Sequence, residues 1–340
     1  MIINGFNANE KILKYIDKIN NYFNRNNTLI VTELDLTNNC NNKCPACVGK
    51  NHVKAELTWN EIKAISKGLY NLNSKGVILS GGGDPLLHPD FTEAVKLLKS
   101  YKMRIGINSN GLLLDEKKAT VIAENCDYFR ISLDAGDETL YKQTHGIDGD
   151  AFKKVINNIK MISEIKRKLK SNLSLGTGFL TSEVTKGQME KFIKISKENG
   201  ADFAQFRPFQ EDMTDITEIY NRLKSIYEDD KFKVIASTQK YSKFKDGNKK
   251  TYDKCTGMLF STVITANARM YACLHHRQND DYLIGDIRQG KSLEEIWNSY
   301  KKWHLHDTID VRNCPSFCRN DSVSQVLFDL EKKVGHSEFL

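Results

Sequence analysis

At 340 residues, with 40% apolar side chains and five prolines, the chain is a folded globular protein long enough for one large domain and a smaller one. It has no run of eighteen apolar residues and its first residues carry no signal-peptide pattern, so no membrane partner and a cytoplasmic location are expected. The net charge of +7 is spread over many lysines, which reads as a solvated surface or as steering of an anionic substrate, with no nucleic-acid partner expected.

Residues 1–27 are rich in Asn and Lys. Ile12, Leu13, Tyr15, Ile16, Ile19, Tyr22 and Phe23 recur at helical spacing, so this is an amphipathic lead-in helix. From residue 30 onward, short apolar runs alternate with helical patterns. Strands are predicted at about 30–36, 76–80, 103–108, 128–133, 173–179 and 202–207. Helices fall between them, near 58–73, 90–101, 115–125, 149–168 and 185–199. Thr58-Trp-Asn-Glu61 is a capping box, and Asp90 and Asp115 open the next two helices. Six such repeats require parallel strands with right-handed crossovers, so the predicted fold is α/β, an incomplete (β/α)6 barrel of the TIM type. In closed barrels of this kind the chemistry sits at the C-terminal strand ends.

Those ends carry the candidate residues. The first strand runs into Cys40-Asn-Asn-Lys-Cys44-Pro-Ala-Cys47. Three clustered thiolates suit an iron–sulfur cluster or zinc, and spacing alone does not separate the two. Three would leave a cubane [4Fe–4S] cluster with one open iron. The second strand ends in Ser80-Gly-Gly-Gly-Asp-Pro85, where Gly81, Gly82 and Gly83 allow close approach of backbone to a ligand. Asn108-Ser109-Asn110-Gly111 follows the third; taken alone it is an ordinary Asn-Gly turn. Along the fourth, Arg130, Ser132 and Asp134 share one face by the period of two. The sixth ends at Arg207, a cation suited to a carboxylate, a phosphate or a developing oxyanion. Glu183, after the fifth, is a candidate base.

Residues 208–250 leave the barrel pattern: a helix at about 212–227, a short strand near 232–236, then a polar, lysine-rich connector from Tyr241 to Asp253. Cys255 and Cys273 flank a predicted hairpin, and Cys314-Pro-Ser-Phe-Cys318 follows. In isolation these four read as a zinc site. Cys126, just before the fourth strand, reads as a buried structural thiol. The chain thus divides into the lead-in helix (1–27), the barrel (28–238) and a small α+β domain (239–340).

Cys-x3-Cys-x2-Cys after one strand and Gly-Gly-Asp after the next resemble the radical S-adenosylmethionine (SAM) superfamily. The resemblance implies that Cys40, Cys44 and Cys47 hold a [4Fe–4S] cluster whose free iron is chelated by SAM. It implies that Gly82-Gly83-Asp84 binds the SAM amino group through backbone, and that Asn108, Ser109, Asn110, Ser132 and Asp134 contact its ribose, adenine and methionine parts. Ala46 stands where the family commonly has an aromatic residue near the adenine, and Asp84 where it has Glu. Gly257, the hairpin, Gly285-Asp-Ile287, Leu293-Glu-Glu-Ile-Trp297 and Cys318-Arg319 resemble the shortened SPASM region called a twitch domain. That resemblance implies an auxiliary [4Fe–4S] cluster on Cys255, Cys273, Cys314 and Cys318.

A SAM-derived radical removes hydrogen from an unactivated carbon, and three outcomes are open. Oxidation of a hydroxyl on a carbohydrate or aminocyclitol is preferred, because it gives the fully ligated auxiliary cluster an electron to accept. The substrate is then a small molecule such as a sugar, a sugar nucleotide or an aminocyclitol, and a flavodoxin or ferredoxin is the expected reductant. Epimerisation is disfavoured because no cysteine is left near the active site, unless a tyrosine serves as the hydrogen donor. Maturation of a precursor peptide is disfavoured by the absence of a fused recognition module at the front. A zinc-stabilised binding protein is the alternative from another class.

Overall fold

Alternating burial builds the sheet. The computed structural model describes every residue except 1–10, 48, 50, 51, 210, 211, 213, 238, 239, 242–249, 316, 317 and 333–340. After α1 (Ile16–Phe23), the strands β1 (Val31–Leu34), β2 (Gly76–Leu79), β3 (Arg104–Ser109), β4 (Tyr128–Ser132), β5 (Ser174–Thr181) and β6 (Phe203–Pro208) pair in parallel, each with the next. In β3 and β4, Ile105, Ile107, Phe129 and Ile131 are fully buried, while Gly106, Asn108, Arg130 and Ser132 between them are half-buried. The first set packs under the helices and the second faces the hollow of the curved sheet, as the period of two dictates.

The crossovers are α2 (Trp59–Asn71), α3 (Phe91–Ser100), α4 (Glu116–Asn125), α5 (Glu138–His145) with α6 (Ala151–Lys168), and α7 (Met189–Glu198). Thr58 and Glu61 form the expected capping box, and the Asp115 carboxylate accepts from Lys118 N. Asp90 stands at the start of α3 but makes no side-chain cap bond. The helix α5 was not anticipated, although Asp137 caps it by accepting from Leu140 N and Gly146, at φ 58°, ends it.

Beyond β6 the structure departs from expectation. The helix α8 (Thr217–Tyr227) leads to β7 (Lys233–Ala236), which pairs in parallel with β6, so this segment is a further barrel unit rather than an exit from the barrel. The hairpin β8 (Ser261–Ile264) and β9 (Arg269–Tyr271), extended by β10 (Leu283–Asp286), joins the opposite edge, β8 lying parallel to β1. One ten-stranded sheet results, ordered β10-β9-β8-β1-β2-β3-β4-β5-β6-β7, with β10 and β7 as its open edges. The helices α9 (Leu293–Trp297), α10 (Tyr300–Thr308) and α11 (Asp321–Glu331) follow.

The lead-in segment is less regular than its pattern. Ile12, Ile19 and Tyr22 are buried, but Leu13, Ile16 and Phe23 are exposed. Residues 1–10 of that prediction, and 242–249 of the predicted connector, lie outside the described residues. No described helix is long and apolar enough to cross a membrane.

Candidate active site

All the sequence-predicted strand ends meet at one end of the sheet. The chain leaving β1 is tied down before it reaches the first thiol: Asn38 N donates to Ala55 O (2.8 Å) and Asn38 Nδ2 to Val53 O (2.7 Å). Cys47 N then donates to Cys44 O (3.1 Å), closing a tight turn that carries Ala46 exposed at its tip. Gly49 N donates to Cys47 Sγ (3.3 Å), and Asn110 Nδ2 lies 3.9 Å from Cys40 Sγ. His145 reaches in from α5: its Nε2 lies 3.1 Å from Leu133 O, which only accepts. Its Nδ1, 3.2 Å from Asn42 Nδ2 and 3.7 Å from Cys44 Sγ, is therefore the acceptor. Burial, then the charges of Cys47 and Cys40, push the Cys44 thiol up to about 12. A bound cation reverses that preference by favouring the thiolate.

The glycine loop is packed to its limit. Gly81 sits at φ +113°, and a Cβ there would fall 1.5 Å from Asp35 Oδ1. Cβ atoms on Gly82 and Gly83 would meet Asn38 Oδ1 at 1.9 Å and Asn39 O at 2.0 Å. The glycines thus let the loop after β2 lie directly against the loop that carries Cys40. Gly81→Ala is expected to lower SAM affinity at least ~10-fold, measured by equilibrium dialysis, because the new methyl must displace a buried carboxylate and occupies a conformation L side chains avoid.

Asp84 holds the ends of β2 and β3 together. Its carboxylate accepts from Leu86 N (3.0 Å), from Ser109 Oγ (3.0 and 2.9 Å) and from Asn110 N (2.7 Å), all buried. The side chains of Asp84 and Ser109 are therefore committed within the fold. Asn110 bonds Asn41 Oδ1 at 2.7 Å. Among the described residues Asn108 Oδ1 is buried without a partner, and so is His52 Nδ1, which would stand 3.1 Å from a Cβ on Gly82. His52 had no signal in the sequence beyond its nearness to the cysteines.

At the end of β4, Asp134 takes a left-handed conformation (φ 49°) and its Oδ1 accepts from Leu180 N at 2.7 Å, clamping β4 to β5. Ser132 faces the hollow beside it. Arg207 lies deeper. Burial, then the charge of Arg130, pull its guanidinium down to about 10. Arg130 donates to Gln205 Oε1 (2.7 Å), and the Nε atoms of both arginines are buried without a partner among the described residues. Arg130 was visible in the sequence as a neighbour of Ser132 on one face. Lys240 was not. Its ammonium is brought down to about 8 by burial and by the charges of Arg207 and Arg130. Glu183 is not brought to this place: it is exposed on the loop after β5 and paired with Lys186 (2.7 Å), three residues on.

The second thiol set also converges. Burial, then the charges of Cys318, Cys273 and Cys314, push the Cys255 thiol up, and His275 N donates to Cys273 Sγ (3.4 Å). Among the described residues no three His, Cys, Asp or Glu side chains close on one point as single-ion ligands would. Thiolates of a cubane each take a separate iron and need no such point. The two cysteine regions are joined by a buried ion network. Arg277 donates to Asp35 Oδ2 (2.8 Å) and to Glu33, and Arg319 Nη1 to Glu33 Oε2 (3.1 Å). Cys126 is buried at the start of β4, at the other end of the strands.

Seven soft donors in two groups and a glycine cradle that no side chain could enter fit two iron–sulfur clusters and SAM. Comparisons with known proteins agree. Residues 34–186 match the radical SAM superfamily model, and residues 255–320 match the SPASM iron–sulfur cluster-binding domain, together almost two thirds of the chain. A GTP 3′,8-cyclase of Staphylococcus aureus is 22% identical over 304 residues, 81% of this chain and 87% of that protein. A probable GTP 3′,8-cyclase of Thermococcus kodakarensis is 27% identical over 154 residues, 44% of this chain and about half (49%) of that relative's length. Among solved structures, Streptococcus suis SuiB bound to precursor peptide SuiA superposes with a TM-score of 0.66 at 14% identity, over 91% of this chain and 74% of that one. Native anSMEcpe with bound AdoMet gives 0.60 at 20%, over 86% and 90%. At these identities the structures speak for the fold, a partial TIM barrel with a C-terminal SPASM-type domain. The chain carries a radical SAM domain over residues 34–186 and a SPASM-type domain over residues 255–320, with SAM and [4Fe–4S] clusters as the cofactors of those domains.

Proposed function

We propose that the protein oxidises a hydroxyl-bearing carbon of a small molecule held inside the barrel. When bound, the clusters and SAM supply a 5′-deoxyadenosyl radical that takes one hydrogen atom from that carbon, and an acceptor for one further electron. Cys40, Cys44 and Cys47 would hold the SAM-binding cluster and Cys255, Cys273, Cys314 and Cys318 the auxiliary one. Gly81 to Asp84, Asn108 to Asn110, Ser132 and Asp134 surround the place for SAM. Arg130 and Arg207 orient the substrate, and the hydroxyl proton passes to water. Flavodoxin or ferredoxin is the expected reductant.

What supports this reading is a second set of four thiols, Cys255, Cys273, Cys314 and Cys318, close enough to act on one another. Arg319, the residue after Cys318, donates to Glu33 of β1, so the thiol set adjoins the barrel. A set of four leaves no iron corner for substrate and suits electron transfer. The remaining thiol, Cys126, is too remote to return hydrogen to a substrate radical, which speaks against epimerisation.

The test is anaerobic reconstitution with SAM, reductant and candidate alcohols. One 5′-deoxyadenosine per product two hydrogens lighter than its substrate supports the oxidation; a product of unchanged mass overturns it. Cys318→Ser is expected to lower product by about 100-fold or more while 5′-deoxyadenosine still forms, read by mass spectrometry. A second reading, cyclisation of GTP, is favoured by the relatives' similarity over most of this chain. GTP is therefore among the substrates to be offered, and its conversion without loss of hydrogen selects that reading.

A further inference from the structure

We propose that Arg130, Arg207 and Lys240 form a phosphate-binding subsite inside the barrel, so that the substrate is a phosphate-bearing small molecule. The inference rests on the barrel interior being the substrate site, as proposed above.

Three cations act on one another here. Among the described residues none of them takes part in an ion pair: Arg130 donates one bond, to the neutral Gln205, and its Nε and that of Arg207 are buried and unpartnered. Elsewhere in the chain the buried guanidinium of Arg277 is matched to two carboxylates. Burying a charge unpaired is costly, and two like charges side by side make it costlier. Among the described residues the acidic group that acts most on Arg207 is Asp134, whose Oδ1 already accepts from Leu180 N. An anion from outside the chain resolves the imbalance.

The backbone leaves room for it. Gly178 of β5 lies between the two arginines: a Cβ there would stand 3.3 Å from Arg130 Cδ, 3.4 Å from its Nε and 3.7 Å from Arg207 Nη2. The absent side chain keeps both guanidinium forks uncovered. Charge selects the ligand. Three positive groups over-match a single carboxylate, whereas a phosphate monoester brings a charge of about −1.5 to −2 at neutral pH and accepts paired bonds from Arg forks.

The probes are inorganic phosphate and pyrophosphate, against acetate at equal ionic strength, titrated calorimetrically into the anaerobic holoenzyme with SAM bound. Phosphate and pyrophosphate should bind and raise the unfolding temperature, and acetate should do neither. Arg207→Gln and Arg130→Gln should each weaken phosphate at least ~10-fold while remaining as stable as the parent without phosphate, since a repulsion is removed. Lys240→Gln, at a half-buried position, provides a milder variant should either arginine substitution prevent folding. Acetate binding as tightly as phosphate, no phosphate binding, or undiminished binding in the variants would each overturn the subsite. Release of 5′-deoxyadenosine on dithionite reduction is recorded in parallel. Its presence without phosphate binding removes the subsite alone. Its absence removes the hydrogen-abstraction reading and leaves the binding result to stand by itself.

Discussion

Arg277→Met is expected to lower the unfolding temperature by roughly 5–10 °C, because breaking a buried ion network leaves its carboxylates uncompensated at a cost of about 3–5 kcal/mol. Arg277, Glu33 and Asp35 are all below one tenth exposed, and Arg277 also donates to Leu274 O (3.0 Å), just past Cys273. Its loss therefore loosens both the strand that leads to Cys40 and the loop that leaves Cys273. Restoring neutrality should recover part of the loss, so Arg277→Met with Asp35→Asn is expected to be more stable than Arg277→Met alone. A cycle with no coupling between the two would refute the network.

The pH dependence of the variant follows from the same groups. Burial pushes the Asp35 carboxyl up to about 7 in spite of Arg277, with Glu33 adding to the push. Glu33 itself is held low, because Arg277 and then Arg319 outweigh its burial. For Asp35 the folded state keeps a proton that the unfolded chain loses near pH 4, so its contribution favours folding below that and fades as pH rises through about 7. Without Arg277 both carboxyls rise further and the fading extends above pH 7. Arg277→Met should lose stability more steeply than the parent between pH 6 and 8 in calorimetric scans. Parallel slopes would show that the two carboxyls do not sense this guanidinium.

How much of this was legible depended on whether the signal was local. The six predicted strands formed because period-two alternation is written into each one, as Ile105, Ile107, Phe129 and Ile131 show. The strand β7 was seen but not placed, since four residues say nothing of their partner; its pairing to β6 is a tertiary fact. The helix α5 is marked in the sequence only by its caps, Asp137 and Gly146, and its eight residues are too few to carry a long apolar stripe. Glu183 was placed near the chemistry by counting from the end of β5, but the strand runs to Thr181 and the exposed loop turns Glu183 to Lys186. Arg277 and Lys240 could not have been found this way. They act on residues far away in sequence, and their meaning appears only when β1 and β6 are in place.

Asp84→Ala is expected to have the other large effect, and it tests what this carboxylate is for. The sequence motif puts Asp84 in the SAM loop, yet its oxygens are turned inward onto Leu86 N, Ser109 Oγ and Asn110 N. Alanine would leave three buried donors without an acceptor, at about 1–3 kcal/mol each. The loop after β2 and the turn after β3 would then lose their shared register, and both border the cysteine loop through Asn39 O and Asn41. SAM affinity should fall more than ~10-fold and the unfolding temperature should fall with it. Asp84→Asn is the informative comparison. Its one carbonyl can still accept from two donors while its amide faces a third N–H or O–H, so stability should lie between parent and alanine. Were the carboxylate a direct contact of the SAM ammonium, the asparagine variant would bind SAM as poorly as alanine while keeping the parent's stability. A brace predicts that affinity and stability fall together through the series, and calorimetry with SAM binding on the same three proteins separates the two.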